Sequence, residues 1–215
     1  MATRITWEEV KSVVTELIET STLRGEPLGS PIVLLGGSAL AAHGAREDSL
    51  DVDLYIPAFS RDVVHDVEST LKLRYGPQFR LDVTRTENIW GVVMLRDIAA
   101  SPIKAEVVAA GRTHSILALR IEDLFLLKLL ADRPKDRPDR ALLCGLTTAD
   151  ALISRFNTLL DWYGTPGGEM SFADAFVTEL QERFGMEPME TIARLAVARY
   201  VRLELEAAYG DRPSE

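Results

Sequence analysis

The sequence predicts an α+β fold: a small mixed β-sheet with helices behind it, followed by an all-helical C-terminal half. Three observations predict it. Strand-like segments, short and rich in Val, Ile and Leu, all fall between Ile32 and Ala109. From Ile121 onward the apolar residues recur at helical spacing. The 215 residues, 47% hydrophobic and 27% charged, are enough for a sizeable core in one or two domains. The division falls near residue 118, giving an αβ part over 1–118 and a helical part over 119–215.

Ile5–Thr20 reads as an amphipathic helix with Val10, Val13, Val14, Leu17 and Ile18 on its apolar stripe. Thr6 is its N-cap, and Glu9, three residues on, completes a capping box. Arg24–Pro31 is a Gly/Pro loop. Ile32–Leu35 is a buried strand, and Ser38–His43 a short helix closed by Gly44. Leu50–Ile56 is the next strand, stopped by Pro57. Ser60 opens a helix to about Leu73, ended by Gly76-Pro77. Phe79–Thr84, Val92–Ile98 and Ile103–Ala109 are further strands, the last broken by Gly111. In the helical part, Glu122–Leu130 is strongly apolar. A charged turn punctuated by Pro134 and Pro138 follows it. One long helix is expected over Asp139–Tyr163, ended by Gly164–Gly168, then a helix from Ser171 to Phe184 and a last one from Glu187-Pro188 to about Tyr209.

Chemistry concentrates in two stretches. Leu34-Leu35-Gly36-Gly37-Ser38 is an apolar strand turning through glycines into a helix. Its backbone N–H groups at a helix start suit phosphate. Leu50-Asp51-Val52-Asp53-Leu54 is a strand with carboxylates at i and i+2. Alternation puts Asp51 and Asp53 on one face, about 5–7 Å apart. Like charges at that distance repel, and a divalent cation between them removes the repulsion. Mg²⁺ suits such a site, since it takes one or two carboxylates together with substrate phosphates. Ile103-Lys104-Ala105-Glu106 repeats the i, i+2 pattern, setting Lys104 and Glu106 on one face.

Gly36-Gly37-Ser38, a spacer of twelve residues and Asp51-Val52-Asp53 together resemble the signature of the DNA polymerase beta-like nucleotidyltransferase superfamily. Arg46 and Ser49 resemble its usual lead-in to the Asp pair. The resemblance implies a small mixed-sheet nucleotidyltransferase core with a helical partner, transferring NMP from an NTP to an acceptor hydroxyl. It implies that Asp51 and Asp53 hold two Mg²⁺ ions, with Mn²⁺ as an alternative, and that Gly36, Gly37 and Ser38 cradle phosphates. It offers Glu106 as the third carboxylate, on a strand beside the Asp pair, with Asp82 of Arg80-Leu81-Asp82-Val83 as the competing candidate. A second resemblance, to the fourth motif of AbiEii-type nucleotidyltransferases (the toxin halves of type IV toxin–antitoxin pairs), rests on Glu122, Asp123, Lys128, Arg133, Lys135, Asp136 and Asp139. It implies that Lys128 reaches nucleotide phosphates, that Asp136 orients basic groups or substrate, and that Arg133 and Lys135 lie near. From the residues alone, Lys128 either snorkels to solvent or, facing inward, needs an anionic partner.

Several classes are disfavoured. No Cys/His set has zinc spacing. The Walker A lysine pattern is missing, as is the elbow of a serine hydrolase around Ser38. His43, His65 and His114 read as surface or helix-end polars, and Trp90 and Trp162 as buried rather than base-stacking. The longest apolar run, Leu124–Leu130, is short and carries Lys128, and the first residues lack a signal-peptide core. With Cys144 as the sole cysteine, a reducing cytoplasmic setting is expected. A net charge of −9, spread over both halves, disfavours a broad nonspecific grip on nucleic acid but leaves room for a local basic rim. The expected partners are therefore an NTP, an acceptor that is RNA, protein or a small molecule, and a cognate antitoxin if the chain is a toxin. An antibiotic-modifying nucleotidyltransferase and a non-catalytic nucleotide- or partner-binding module are the alternatives.

Overall fold

The computed structural model describes residues 4–85, 97–98, 101–160 and 166–210, without the side chains of 166–168. Most of the strand expected at Val92–Ile98, and both Trp90 and Trp162, lie outside the described residues. The chain divides into two compact units, Met1–Arg120 and Ile121–Glu215. The first is a mixed αβ unit and the second is helical, so the fold is α+β with a helical C-terminal part. Among the described residues no helix is long and apolar enough to cross a membrane.

The first unit runs β1 (Ile5–Thr6), α1 (Trp7–Leu23), β2 (Ile32–Leu34), α2 (Gly36–Ala42), β3 (Asp48–Ser49), β4 (Asp51–Tyr55), α3 (Arg61–Tyr75), β5 (Arg80–Thr84), β6 (Ile103–Ala109) and β7 (Arg112–Ala118). The capping box closes as its sequence dictates: Thr6 N–H donates to Glu9 Oε2 at 2.7 Å and Glu9 N–H to Thr6 Oγ1 at 3.4 Å. A five-stranded mixed sheet has the order β5-β4-β2-β7-β6, while β1 and β3 form a separate pair. Alternation sorts its two faces. Val52, Leu54, Leu34, Ile116 and Leu81 share the apolar face, and the registers carry it from strand to strand. The apolar stripes of α1 (Val10, Val13, Val14, Leu17) and α3 (Val63, Val64, Val67, Leu71) are buried in the same core. Ion pairs Arg24–Asp66 and Arg74–Glu16 tie these two helices together.

One strand escaped the sequence reading. Gly111 does not end the strand region; Ala110 and Gly111, at φ 50° and 72°, turn β6 back into β7. Positive φ at both central residues is the tight hairpin geometry that Asn-Gly usually signals, and here alanine occupies the first position. A register shift between Ile103 and Ala105 places Lys104 in a bulge, so Lys104 and Glu106 do not follow simple alternation.

The second unit contains α4 (Ile121–Ala131), a 3₁₀ turn (Pro134–Asp136), α5 (Arg137–Cys144), α6 (Ala149–Leu160), α7 (Pro166–Phe184), α8 (Pro188–Arg194) and α9 (Arg199–Gly210). Its core centres on Phe156, stacked on Phe176 at 4.2 Å and tilted against Phe172 at 5.0 Å, with Phe125 edge-on to Phe176. Two expected helices are each two helices. Asp139–Tyr163 breaks at Gly145, and Thr148 Oγ1 then accepts from Ala151 N–H to start α6. The expected last helix opens at Pro188 but breaks at Leu195–Ala198. There Asn157 Oδ1 and Glu169 Oε1 accept from the N–H groups of Ala196 and Ala198. The start of α7 at Pro166 also precedes the expected Ser171 cap.

Candidate functional site

The two signature stretches meet. β2 ends at Leu34, and its continuation is pinned to β4: Leu35 N–H donates to Asp53 O at 2.8 Å. The chain then enters α2 with Gly36 at φ +47°, a conformation that favours glycine. A Cβ on Gly36 would lie 1.9 Å from Asp53 Oδ2, and one on Gly37 would lie 2.4 Å from Ser49 Oγ and 3.6 Å from Asp51 Oδ1. Gly36 thus lets the start of α2 approach Asp53, and Gly37 lets it approach Ser49, at distances that no side chain allows, while Asp51 lies at ordinary contact distance from Gly37. Ser49 is buried, and its hydroxyl donates weakly to Asp51 Oδ1 at 3.4 Å. Arg46, partly buried, lies in the turn between α2 and β3.

Ser38 has a different task from phosphate contact through its side chain. It is fully buried, its hydroxyl accepts from Asp53 N–H at 3.0 Å, and it donates toward Leu35 O and Asp53 O at 3.1 and 3.2 Å. This hydroxyl bolts the start of α2 to the middle of β4, which fixes the Asp53 backbone.

Asp51 and Asp53 point from the face of β4 opposite to Val52 and Leu54, and both remain partly exposed. The neighbouring strand decides which third acid is near. β5 pairs parallel with β4 so that Asp82 is the partner of Asp53 and Arg80 the partner of Asp51. Asp82 therefore stands beside Asp53 on the same face. The expectation that Glu106 lies on a strand beside the Asp pair is corrected by the sheet order. β6 is separated from β4 by β2 and β7. Three strand spacings amount to roughly 14 Å, too far for one ion to bridge. Glu106 instead lines a cleft of about 580 Å³ with Glu8, Glu16 and Glu19 of α1. Asp82 lines a cavity of about 440 Å³ with Arg61, His65 and Arg85. Arg80 was passed over in sequence, although Arg80-Leu81-Asp82 shows the same i, i+2 spacing as the Asp pair.

Lys128 faces inward and has its anionic partners. Its Nζ donates to Asp136 Oδ1 at 3.0 Å and to Asp139 Oδ2 at 2.7 Å, and all three side chains are buried. Arg133 adds a fork to Asp136 through Nε at 2.6 Å and Nη2 at 3.3 Å. Burial pushes the Asp136 carboxyl up, but the hydrogen bonds from Arg133 and Lys128 outweigh it and hold the group below the usual carboxylate range. Two further buried pairs, Asp123–Arg155 and Arg140–Glu179, belong to the same helical unit. Asp123 is thereby bonded to Arg155, and Glu122 accepts from the Thr147 hydroxyl. Of the basic residues in the turn, Arg133 has a side chain 55% exposed, and Lys135 is also exposed. Cys144 is partly buried; desolvation raises its thiol pKa to about 11, which makes it a poor nucleophile.

Among the described residues no group of three or more His, Cys, Asp or Glu side chains is placed to hold a metal ion. The Asp51–Asp53 pair, with hard oxygen donors and a glycine-lined approach, still fits an ion that completes its shell with water and substrate oxygens, as Mg²⁺ does. Comparison with family models, curated proteins and solved structures finds no match to this chain.

Proposed function

We propose that this chain is a metal-dependent nucleotidyltransferase that moves an NMP from an NTP to an acceptor hydroxyl. The observation that carries the reading is the glycine start of α2 packed against the paired carboxylates of β4, where even a methyl group on Gly36 would overlap Asp53. A helix start offering N–H groups beside two metal-binding carboxylates brings a phosphate chain and its counter-ions to one place.

Asp51 and Asp53 would hold Mg²⁺, which neutralises the triphosphate and lowers the pKa of a bound hydroxyl when present. The chain's own groups do the rest. Gly36 and Gly37 leave room for the Asp53 carboxylate and the Ser49 hydroxyl against the start of α2, whose first N–H groups would meet the phosphate oxygens. Ser38 keeps β4 and α2 in fixed relation, so the carboxylates do not drift. Asp82, beside Asp53, takes the place first given to Glu106 and accepts the proton of the acceptor hydroxyl. The acceptor oxygen bonds to the α-phosphorus, the bond to the bridging oxygen breaks, and pyrophosphate leaves. Catalysis of this kind rests on positioning and charge neutralisation around an in-line displacement. The role suggested for Lys128 at nucleotide phosphates is replaced: its ammonium already serves two carboxylates.

The test is incubation with each α-labelled NTP, Mg²⁺, and total RNA, protein extract or an aminoglycoside-like panel in turn. Label transfer with stoichiometric pyrophosphate release supports the reading. Saturable NTP binding without release from any mixture would make the chain a nucleotide-binding module instead.

A further inference from the structure

The open face of β4 and β5 carries a cation among its acids. The register sets Arg80 beside Asp51 and Asp82 beside Asp53, and alternation puts all four side chains on one face. Adjacent strands lie about 4.8 Å apart, so the Arg80 guanidinium and the Asp51 carboxylate are within reach of each other. They do not pair. Arg80 is exposed and makes no hydrogen bond or ion pair among the described residues, while Asp51 receives the Ser49 hydroxyl. By contrast Arg24 is paired with Asp66, Arg74 with Glu16, and Arg85 is held by the carbonyl and ring of Phe59. Arg80 thus keeps its fork open beside Asp51, while the start of α2 flanks the same acid pair at Asp53 through Gly36.

We propose that Arg80 binds the β- and γ-phosphates of the NTP, the part that leaves as pyrophosphate. The proposal rests on the nucleotidyltransferase reading and adds to it a phosphate-binding cation in place of Lys128. Its position on β5 carries the argument. In an in-line displacement the attacking and leaving oxygens stand on opposite sides of phosphorus. Asp82 marks the attacking end, because it accepts the proton of the acceptor hydroxyl. Arg80 lies two residues away on the same strand, roughly 7 Å along it, so the leaving end falls toward Arg80 and Asp51. As the bond from the α-phosphorus to the bridging oxygen breaks, its electron pair stays on that oxygen. The planar guanidinium meets that charge with a fork matched to two phosphate oxygens, and it keeps its own proton throughout.

Binding is measured on the full chain with Mg²⁺ and without acceptor, by calorimetric titration of each NTP, its NMP and inorganic pyrophosphate. Arg80→Gln removes the charge from a side chain without partners, so the melting curve should not move. Pyrophosphate and NTP should bind this variant about 10- to 100-fold more weakly, the range for one charge-assisted fork, while NMP affinity stays within about two-fold. The preference for NTP over NMP therefore falls by about ten-fold or more. Arg80→Lys keeps the charge but not the fork and should recover part of the loss. Arg112→Gln, at an exposed arginine of β7, should bind like the wild type. An NTP-over-NMP preference unchanged in Arg80→Gln overturns the inference, whether both ligands weaken alike or neither does. Tighter Mg²⁺ binding with that preference unchanged also overturns it, and makes Arg80 a neutraliser of Asp51. A wild type that binds neither NTP nor pyrophosphate sinks this inference and the nucleotidyltransferase reading together. A lost preference in a chain that labels no acceptor sinks the enzyme reading alone and leaves Arg80 at the phosphates.

Discussion

Both units of the molecule carry a cluster of aspartates, and the two are handled in opposite ways. On β4 and β5, Asp51, Asp53 and Asp82 share one sheet face and reach solvent, with Gly36 of α2 set against Asp53. In the helical unit Asp136 and Asp139 are buried, and Lys128 and Arg133 compensate them at hydrogen-bond distance. An acid whose charge is matched inside the protein does structural work, because its energy is satisfied before any ligand arrives. Acids side by side on a face that reaches solvent stay accessible to a cation from outside, which is the role proposed for Asp51 and Asp53. The sequence motif does not separate the two cases; the surroundings do.

The comparison breaks most sharply at the Asp pair. Asp53→Asn or Asp51→Asn should reduce nucleotidyl transfer by about 10³-fold or more while shifting the melting temperature little, since a metal's charge stabilisation is worth several kcal/mol and the amide keeps the size and shape of the carboxylate. Steady-state rates and a melting curve on the same preparation check both halves. Lys128→Met should show the reverse: a loss of about 3–5 kcal/mol in urea unfolding, because two buried carboxylates lose the ammonium they share. A stable Lys128→Met variant would mean the cluster is not what holds that turn.

Asp82→Asn should slow turnover about 10²–10⁴-fold, the usual range for a missing general base, whereas Glu106→Gln should leave the rate within about two-fold. Equal losses from both would return the third acid to the far edge of the sheet. The smallest effect is the pH response. The folded pKa of Asp136 is depressed, so its contribution to stability is complete above its unfolded value near 4 and is lost as pH falls through the folded pKa. Urea midpoints should therefore drop on acidification from about pH 5 to about pH 3, and Asp136→Asn should lower the neutral-pH midpoint while flattening that drop.

Local rules carried much of this fold into the sequence. Thr6 and Glu9 announce their capping box, and Val52 between two aspartates announces both a strand and its outward face. Sheet order is a different matter, because nothing in Lys104-Ala105-Glu106 states that two strands stand between it and Asp53. The strand Arg112–Ala118 hid because its first half, Arg112-Thr113-His114-Ser115, is polar throughout and its turn begins with alanine. Leu195–Ala198 has no helix breaker at all; the break exists because Asn157 and Glu169, far away in sequence, satisfy the freed N–H groups. At the candidate site the glycines and the Asp pair were legible as a motif. Ser38's burial and Asp82's register were not, since both depend on which strands become neighbours.

Arg202 adds a consequence for how the chain is made. Its guanidinium donates to the carbonyls of Ile192, Ala193 and Leu195 at the end of α8, and Ile192 O also accepts from Leu195 N–H at 3.2 Å. A nascent chain that has α8 but not yet α9 lacks the three Arg202 bonds, while Asn157 and Asp150 of α6 already hold Arg194. The end of α8 is thus fastened in two stages, first to α6 and then to α9, in the order in which the chain is made.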